Sequence, residues 1–188
     1  MPEIKNLTAQ IIGIVACALI VLSYQCKKNK YLFLVQGLGA AGFAVNFIML
    51  GSLASGFMNI AAVVRMSVLF GGEKFKKRWM YFFLQGLFVS LTGLSLYMSL
   101  AGGYDTKAEL FKIVLTSFMV MSAMLVSTYV MWKDDGDVIR KAQFFFVSPM
   151  WLANNIIVAS FGGIICESLN MISIIVSYVR YRKTGFEK

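Results

Sequence analysis

The sequence predicts an all-α membrane protein of seven transmembrane helices, in which two parallel three-helix units flank a single connecting helix. Three observations predict it. Of the 188 residues, 59% are hydrophobic and 14% charged, and the mean hydropathy is +0.72. A soluble domain carries about a quarter charged residues, so this chain has too little polar surface to face water on every side. Seven apolar stretches of about 20 residues, each able to cross a hydrocarbon layer of roughly 30 Å, occupy most of the length. Finally, asparagines in the second and third stretches recur in the sixth and seventh.

Breaks at Gly, Lys and Asp divide the apolar runs into helices over 7–25, 31–50, 53–70, 79–101, 108–132, 142–160 and 163–181. The first is preceded by Glu3 and Lys5 and followed by no small-residue cleavage site, so it reads as a retained helix and not a signal peptide. Leu50, Gly51 and Ser52 separate the second helix from the third without a charge, which predicts a tight hairpin. The fourth opens after the basic run Lys74–Arg78 with Trp79 as an interface anchor, a pattern that sets topology and attracts anionic lipid. Between the fifth and sixth, Lys133–Arg140 carries alternate acids without the spacing or terminal glutamate of a calcium loop, and reads as a solvated turn. Phe161 and Gly162 make a second uncharged hairpin before the seventh. A β-barrel would show alternation in segments of about ten residues, and none is present.

Seven crossings place the basic residues on two sides. Fourteen of the 18 lysines and arginines fall on one side, at Lys27, Lys28 and Lys30, at Lys74, Lys76, Lys77 and Arg78, at Lys133, Arg140 and Lys141, and at Arg180, Arg182, Lys183 and Lys188. The other side holds Lys5 and Lys107, with Lys112 just inside helix five. The positive-inside rule then puts the amino terminus outside and the carboxyl terminus in the cytoplasm.

Composition also excludes chemistries. With no histidine and with Cys17, Cys26 and Cys166 far apart in sequence, no imidazole base, clustered metal site or Cys-x-x-Cys pair is expected. Neither a cofactor nor enzymatic activity is expected, since no Ser or Cys is paired with a plausible base. The net charge of +9 lies in short loops between apolar runs and not on a solvated face, so nucleic acid is not an expected partner.

The repeat aligns Ala44 with Ala153, Asn46 with Asn155 and Asn59 with Asn170, with a two-residue insertion at the second hairpin. Residues 1–70 then form the first three-helix unit, 71–107 the connector and its loops, 108–181 the second unit and 182–188 a cytoplasmic tail, all within one integral-membrane domain. An odd connector makes the two units parallel about an axis along the membrane normal.

The stretch Ser23-Tyr24-Gln25-Cys26-Lys27-Lys28-Asn29-Lys30 resembles the PQ-loop signature, with Tyr24 at the proline position. Trp151 followed by Asn170 is similar in order and spacing to the tryptophan and asparagine of the MtN3/SWEET sugar-transporter repeat. A likeness over nearly the whole chain is to the YgjV-type bacterial inner-membrane proteins. It is carried by Phe47-Ile48-Met49-Leu50-Gly51, by Asn59 and Arg65, by Trp151-Leu152-Ala153-Asn154-Asn155, and by Ser160-Phe161-Gly162-Gly163-Ile164-Ile165-Cys166-Glu167. The resemblance implies the seven-helix 3+1+3 MtN3-like fold in a bacterial inner membrane. The chain departs from SWEETs in having Pro149 as its only membrane proline, two residues before Trp151, and Gly42 where the second unit has Trp151.

Polar side chains at membrane depth face the bundle interior or a cavity. On helix seven Cys166, Glu167, Asn170, Ser173 and Ser177 share an arc of about 120°. Ser148, Trp151 and Asn155 on helix six share about 60°, as do Ser52, Ser55 and Asn59 on helix three, and Gly39, Gly42 and Asn46 on helix two. Gly39, Gly42, Ser52 and Ser55 read as helix packing. Asn46, Asn59, Asn155 and Asn170 read as a solute site, since an amide offers donors and an acceptor without the cost of burying a charge. Trp151 either stacks on the solute or packs. Arg65 either snorkels to the interface or binds ligand. Glu167 either pairs with Lys112 or binds a cation or proton. The functional expectation is a carrier or facilitator of a small polar solute, working by rocking of the two units. The alternative is a non-transporting receptor or assembly factor on the same fold. Expected partners are membrane lipids, the solute and a second copy of the chain.

Overall fold

The computed structural model describes residues 2–50, 53–103, 105–158, 160–181 and 183–187, with side chains placed from residue 7 and not for 53, 54 and 161. Gly51 and Ser52 of the first predicted hairpin, and Arg182 and Lys188 of the basic set, lie outside the described residues, as does the side chain of Lys5.

Among the described residues seven helices follow one another. They are α1 (Pro2–Ser23), α2 (Asn29–Met49), α3 (Leu53–Phe70), α4 (Arg78–Ala101), α5 (Lys107–Lys133), α6 and α7 (Phe161–Tyr181). Helix α6 opens at Gly136–Ala142, passes through a π-helical turn at Gln143–Val147 and continues as Ser148–Ile157. No strand is present among the described residues beyond an isolated bridge between Lys28 and Glu187. Among the described residues four helical spans, Asn29–Met49, Arg78–Ala101, Lys107–Lys133 and Gly162–Tyr181, are long and apolar enough to cross a membrane. The described parts of α1 and α3 are apolar and somewhat shorter, at Leu7–Ser23 and Ser55–Phe70.

Several predicted boundaries shift, α1 beginning at Pro2 and not at 7 and α2 at Asn29 and not at 31. Helix α6 begins at Gly136 and not at 142, because Asp134 takes a left-handed conformation (φ 57°) and the Asp135 carboxylate accepts from the amides of Asp137 and Val138. That is a side-chain N-cap, so the predicted solvated turn ends at Asp135. Val158 and Ser160 lie outside helix and α7 opens at Phe161, so the break before α7 precedes Phe161–Gly162. The π-turn precedes Pro149, whose missing N–H and bulky ring disturb the preceding turn of a helix.

Helices pack serially. α1 lies on α2 and α2 on α3, while α5 lies on α6 and α6 on α7. Among the described residues neither α1 with α3 nor α5 with α7 makes a substantial contact. The ring closes where α3 meets α5 and where α7 meets α1, with α4 against α3 and α5. Close approach of α1 and α2 depends on small residues. A Cβ at Gly42 would sit 2.9 Å from Ala16 Cβ, and one at Gly39 2.7 Å from Ile20 Cδ1. The apolar core of Tyr24, Leu32, Phe33, Met66, Leu69, Met131, Ile139 and Ile174 gathers at the lysine-rich end of the bundle. Outward faces are apolar, with Ile14, Phe145 and Val179 about as exposed as side chains in a helix become.

Candidate functional site

The buried polar residues of α6 and α7 face one another. On α7, Asn170, Ser173 and Ser177 are buried, as the shared arc predicts. Glu167 is partly buried, one turn from Asn170, and its carboxylate lies near the Ser148 side chain on α6 and the Asn170 amide. Ser148 is buried as well. The Asn170 carbonyl oxygen Oδ1 is buried and receives no donor. Trp151 stands one turn beyond Ser148 and is half-buried. Cys166 reaches across to α1, with its Sγ 2.7 Å from that of Cys17. Ser173 donates to the Val21 carbonyl at 2.6 Å and accepts from Gln25 at 2.7 Å. The cluster therefore borders the α7–α1 seam.

The other predicted site residues lie elsewhere. Asn46 is buried against α1, where its Nδ2 donates to the Ala9 carbonyl at 2.5 Å. Asn59 donates to the Ser55 carbonyl of its own helix at 2.9 Å. Asn155 packs on Gly163, where a Cβ would fall 2.5 Å from its side chain. These three amides are used in packing and do not join Asn170. Arg65 is buried and does not snorkel. Its Nη1 donates to Thr128 Oγ1 of α5 at 3.2 Å and its guanidinium lies 5.2 Å from the Phe88 ring of α4, while Nε has no partner. Lys112 is exposed and makes no ion pair among the described residues.

Toward the lysine-rich end, Tyr24 donates to Gln143 Oε1 at 3.3 Å and Gln143 donates to Ser127 at 3.0 Å, joining α1, α6 and α5. Below that lies a group that sequence reasoning treated only as loop charge. Arg140 is fully buried and donates to the carbonyls of Gly136 (3.0 Å), Tyr24 (3.3 Å) and Cys26 (2.5 Å). Its guanidinium lies 3.8 Å from the ring centroid of Phe186 in the carboxyl-terminal tail. Phe186 also meets Tyr178 and Tyr181 edge to face, each at 5.6 Å. Gly185 (φ 68°) turns the tail inward, and the absence of a Cβ at Gly136 makes room, since one would sit 2.5 Å from Phe186 Cβ. Glu187 pairs with Lys27 and, at 3.6 Å, with Lys28, and its backbone bonds Asn29 and Lys27. The Lys27 hydrogen bond and charge, aided by Lys28, hold the Glu187 carboxyl below the usual range. The tail is thus a strap tying α6 and α7 to the α1–α2 turn.

An all-helical bundle with apolar outer faces and inward-turned polar groups is an integral membrane protein. The chain belongs to the Imp-YgjV family of bacterial inner membrane proteins, which it matches over residues 7–185. No curated protein and no solved structure matches it significantly.

Proposed function

We propose that the protein is a carrier or facilitator of a small polar solute, built on the MtN3/SWEET-like 3+1+3 plan with α4 as connector. One observation carries the reading. The buried Asn170 Oδ1 lacks a donor while sitting beside Glu167 and Ser148. An unsatisfied buried acceptor costs about 1–3 kcal/mol, and a solute hydroxyl or amide entering the site would supply the missing hydrogen. Trp151, on the Ser148 side, offers such a solute an apolar face.

The same serial order of packing in α1–α3 and α5–α7 supports two equivalent units, and the two seams between them, α3–α5 and α7–α1, are where rocking would occur. The concentration of core and strap at the lysine-rich end fits a state closed on that side. We place that side in the cytoplasm and the amino terminus outside. The proposal assigns no catalysis, since the chain has no histidine to serve as a base beside its serines and cysteines.

Uptake into proteoliposomes over a panel of sugars, amino acids and nucleosides tests the function. One class should accumulate, and Asn170→Ala should lower its uptake about tenfold at unchanged folded yield, the loss of one hydrogen bond worth roughly 1.4 kcal/mol. Glu167→Gln should abolish uptake or its pH dependence. Folded protein that accumulates no class would overturn the proposal.

A further inference from the structure

Away from the solute site, the lysine-rich end of the α4–α5 pair bears a groove of about 450 Å³. Its wall is aromatic, with the rings of Tyr81 and Trp132 5.4 Å apart. Its floor is Lys76, a nearly buried ammonium paired with Asp134 at 3.1 Å. Asp134 is itself held by Asn29, whose Nδ2 donates to the Asp134 carboxylate and carbonyl at 3.0 Å each. The floor is therefore fixed and electrically neutral.

The rim is different. Arg78 is the first residue of α4 and Lys133 the last of α5, and both line the groove. Both are exposed, and neither has a carboxylate within ion-pair distance among the described residues. Each is held over an aromatic ring instead, Arg78 at 6.0 Å from Phe82 and Lys133 at 4.4 Å from Tyr129. Two uncompensated positive charges thus stand above an apolar wall at the end of the bundle where basic residues gather. The α4 amino terminus, without a side-chain cap, adds its own positive dipole end beside Arg78.

We infer that this groove binds an anionic phospholipid, its headgroup phosphate between Arg78 and Lys133 and an acyl chain along Phe82 and Tyr129. A free anion would satisfy the two cations and gain nothing from Phe82 and Tyr129, both largely exposed. A neutral lipid would cover the rings and leave the cations unmatched. Basic pockets between membrane helices favour anionic headgroups for this combined reason.

Native mass spectrometry of the full chain, released from micelles containing phosphatidylglycerol or phosphatidylcholine, tests the site. Phosphatidylglycerol should be retained and phosphatidylcholine lost. The double variant Arg78→Gln/Lys133→Gln should weaken retention roughly 30-fold, about fivefold for each cation. Lys74→Gln/Arg180→Gln removes the same charge outside the groove and should retain the lipid as the unaltered chain does. Lys133→Gln alone gives the smaller loss if the double variant does not fold, and excess glycerol phosphate should not displace the lipid. Equal retention of both lipids, equal loss in the two double variants, no loss in Lys133→Gln, or displacement by glycerol phosphate would each overturn the inference.

Discussion

Arg140 and Arg65 are both buried arginines, and they differ in how their donors are spent. Arg140 meets three main-chain carbonyls and the face of Phe186, so its charge is solvated by the protein and stitches α6 to the α1–α2 turn and the tail. Arg65, at the junction of α3, α4 and α5, bonds one side-chain oxygen, that of Thr128, and leans on Phe88, and the Nε of both arginines is unpaired. Charge-assisted bonds are worth about 1.5–3 kcal/mol each, so Arg140→Met should lower the unfolding free energy by several kcal/mol in a denaturant titration. Glu187 carries a pH prediction. Its carboxyl is held low by Lys27, so its contribution to tail docking is complete above the unfolded-state pKa and is lost only as pH falls through the lowered folded value. The mobility of a spin label at Lys183 should therefore stay low through neutral and mildly acid pH and rise in strong acid. Glu187→Gln should remove that dependence.

At the scale of the element, small residues decide how near α1 and α2 lie. A side chain at Gly42 would press on Ala16, and overpacking of this kind costs about 1–3 kcal/mol. Gly42→Val should lower thermal stability accordingly, while the same change at Gly93, with open space around it, should have little effect. Helix positions were legible in the sequence because apolar length and charged breaks are the physics of membrane insertion. Polar faces were legible on α7, where period and burial agree. The destinations of the asparagines were not, because helical angle fixes a face and not the neighbour on it. Asn46 turns to α1 and Asn155 to Gly163 of α7, although the two occupy aligned positions. The start of α6 and the burial of Arg140 were hidden for another reason. A basic residue beside a run of acids looks solvated until the tail, more than 40 residues later, folds back over it. Asp135 as a cap residue ahead of Gly136 was the available signal.

Across the whole molecule, core and hydrogen-bonded strap concentrate at the lysine-rich end. In α5 the buried residues are Ala123, Ser127, Thr128, Val130 and Met131, all in the half that ends at Lys133, toward the lysine-rich end of the bundle. That asymmetry fits the proposed carrier in a state closed at its lysine-rich end. If the basic end faces the cytoplasm, cysteine labels near Thr106 should react with an impermeant reagent from outside and those near Asp135 should not, and equal reactivity of both would break the seven-crossing topology. In the proposed carrier the two three-helix units rock and the strap holds the closed state. The most direct measurement is the distance between spin labels at Lys30 on α2 and Lys141 on α6, both exposed at the lysine-rich end, in lipid bilayers on a cysteine-free background. The account predicts a mainly short distance in the otherwise unaltered chain, with a longer component that grows up to roughly 30-fold in Phe186→Ala, the effect of losing a desolvated cation–π contact of about 2 kcal/mol. A single short distance, unchanged by Phe186→Ala in folded protein, would contradict it.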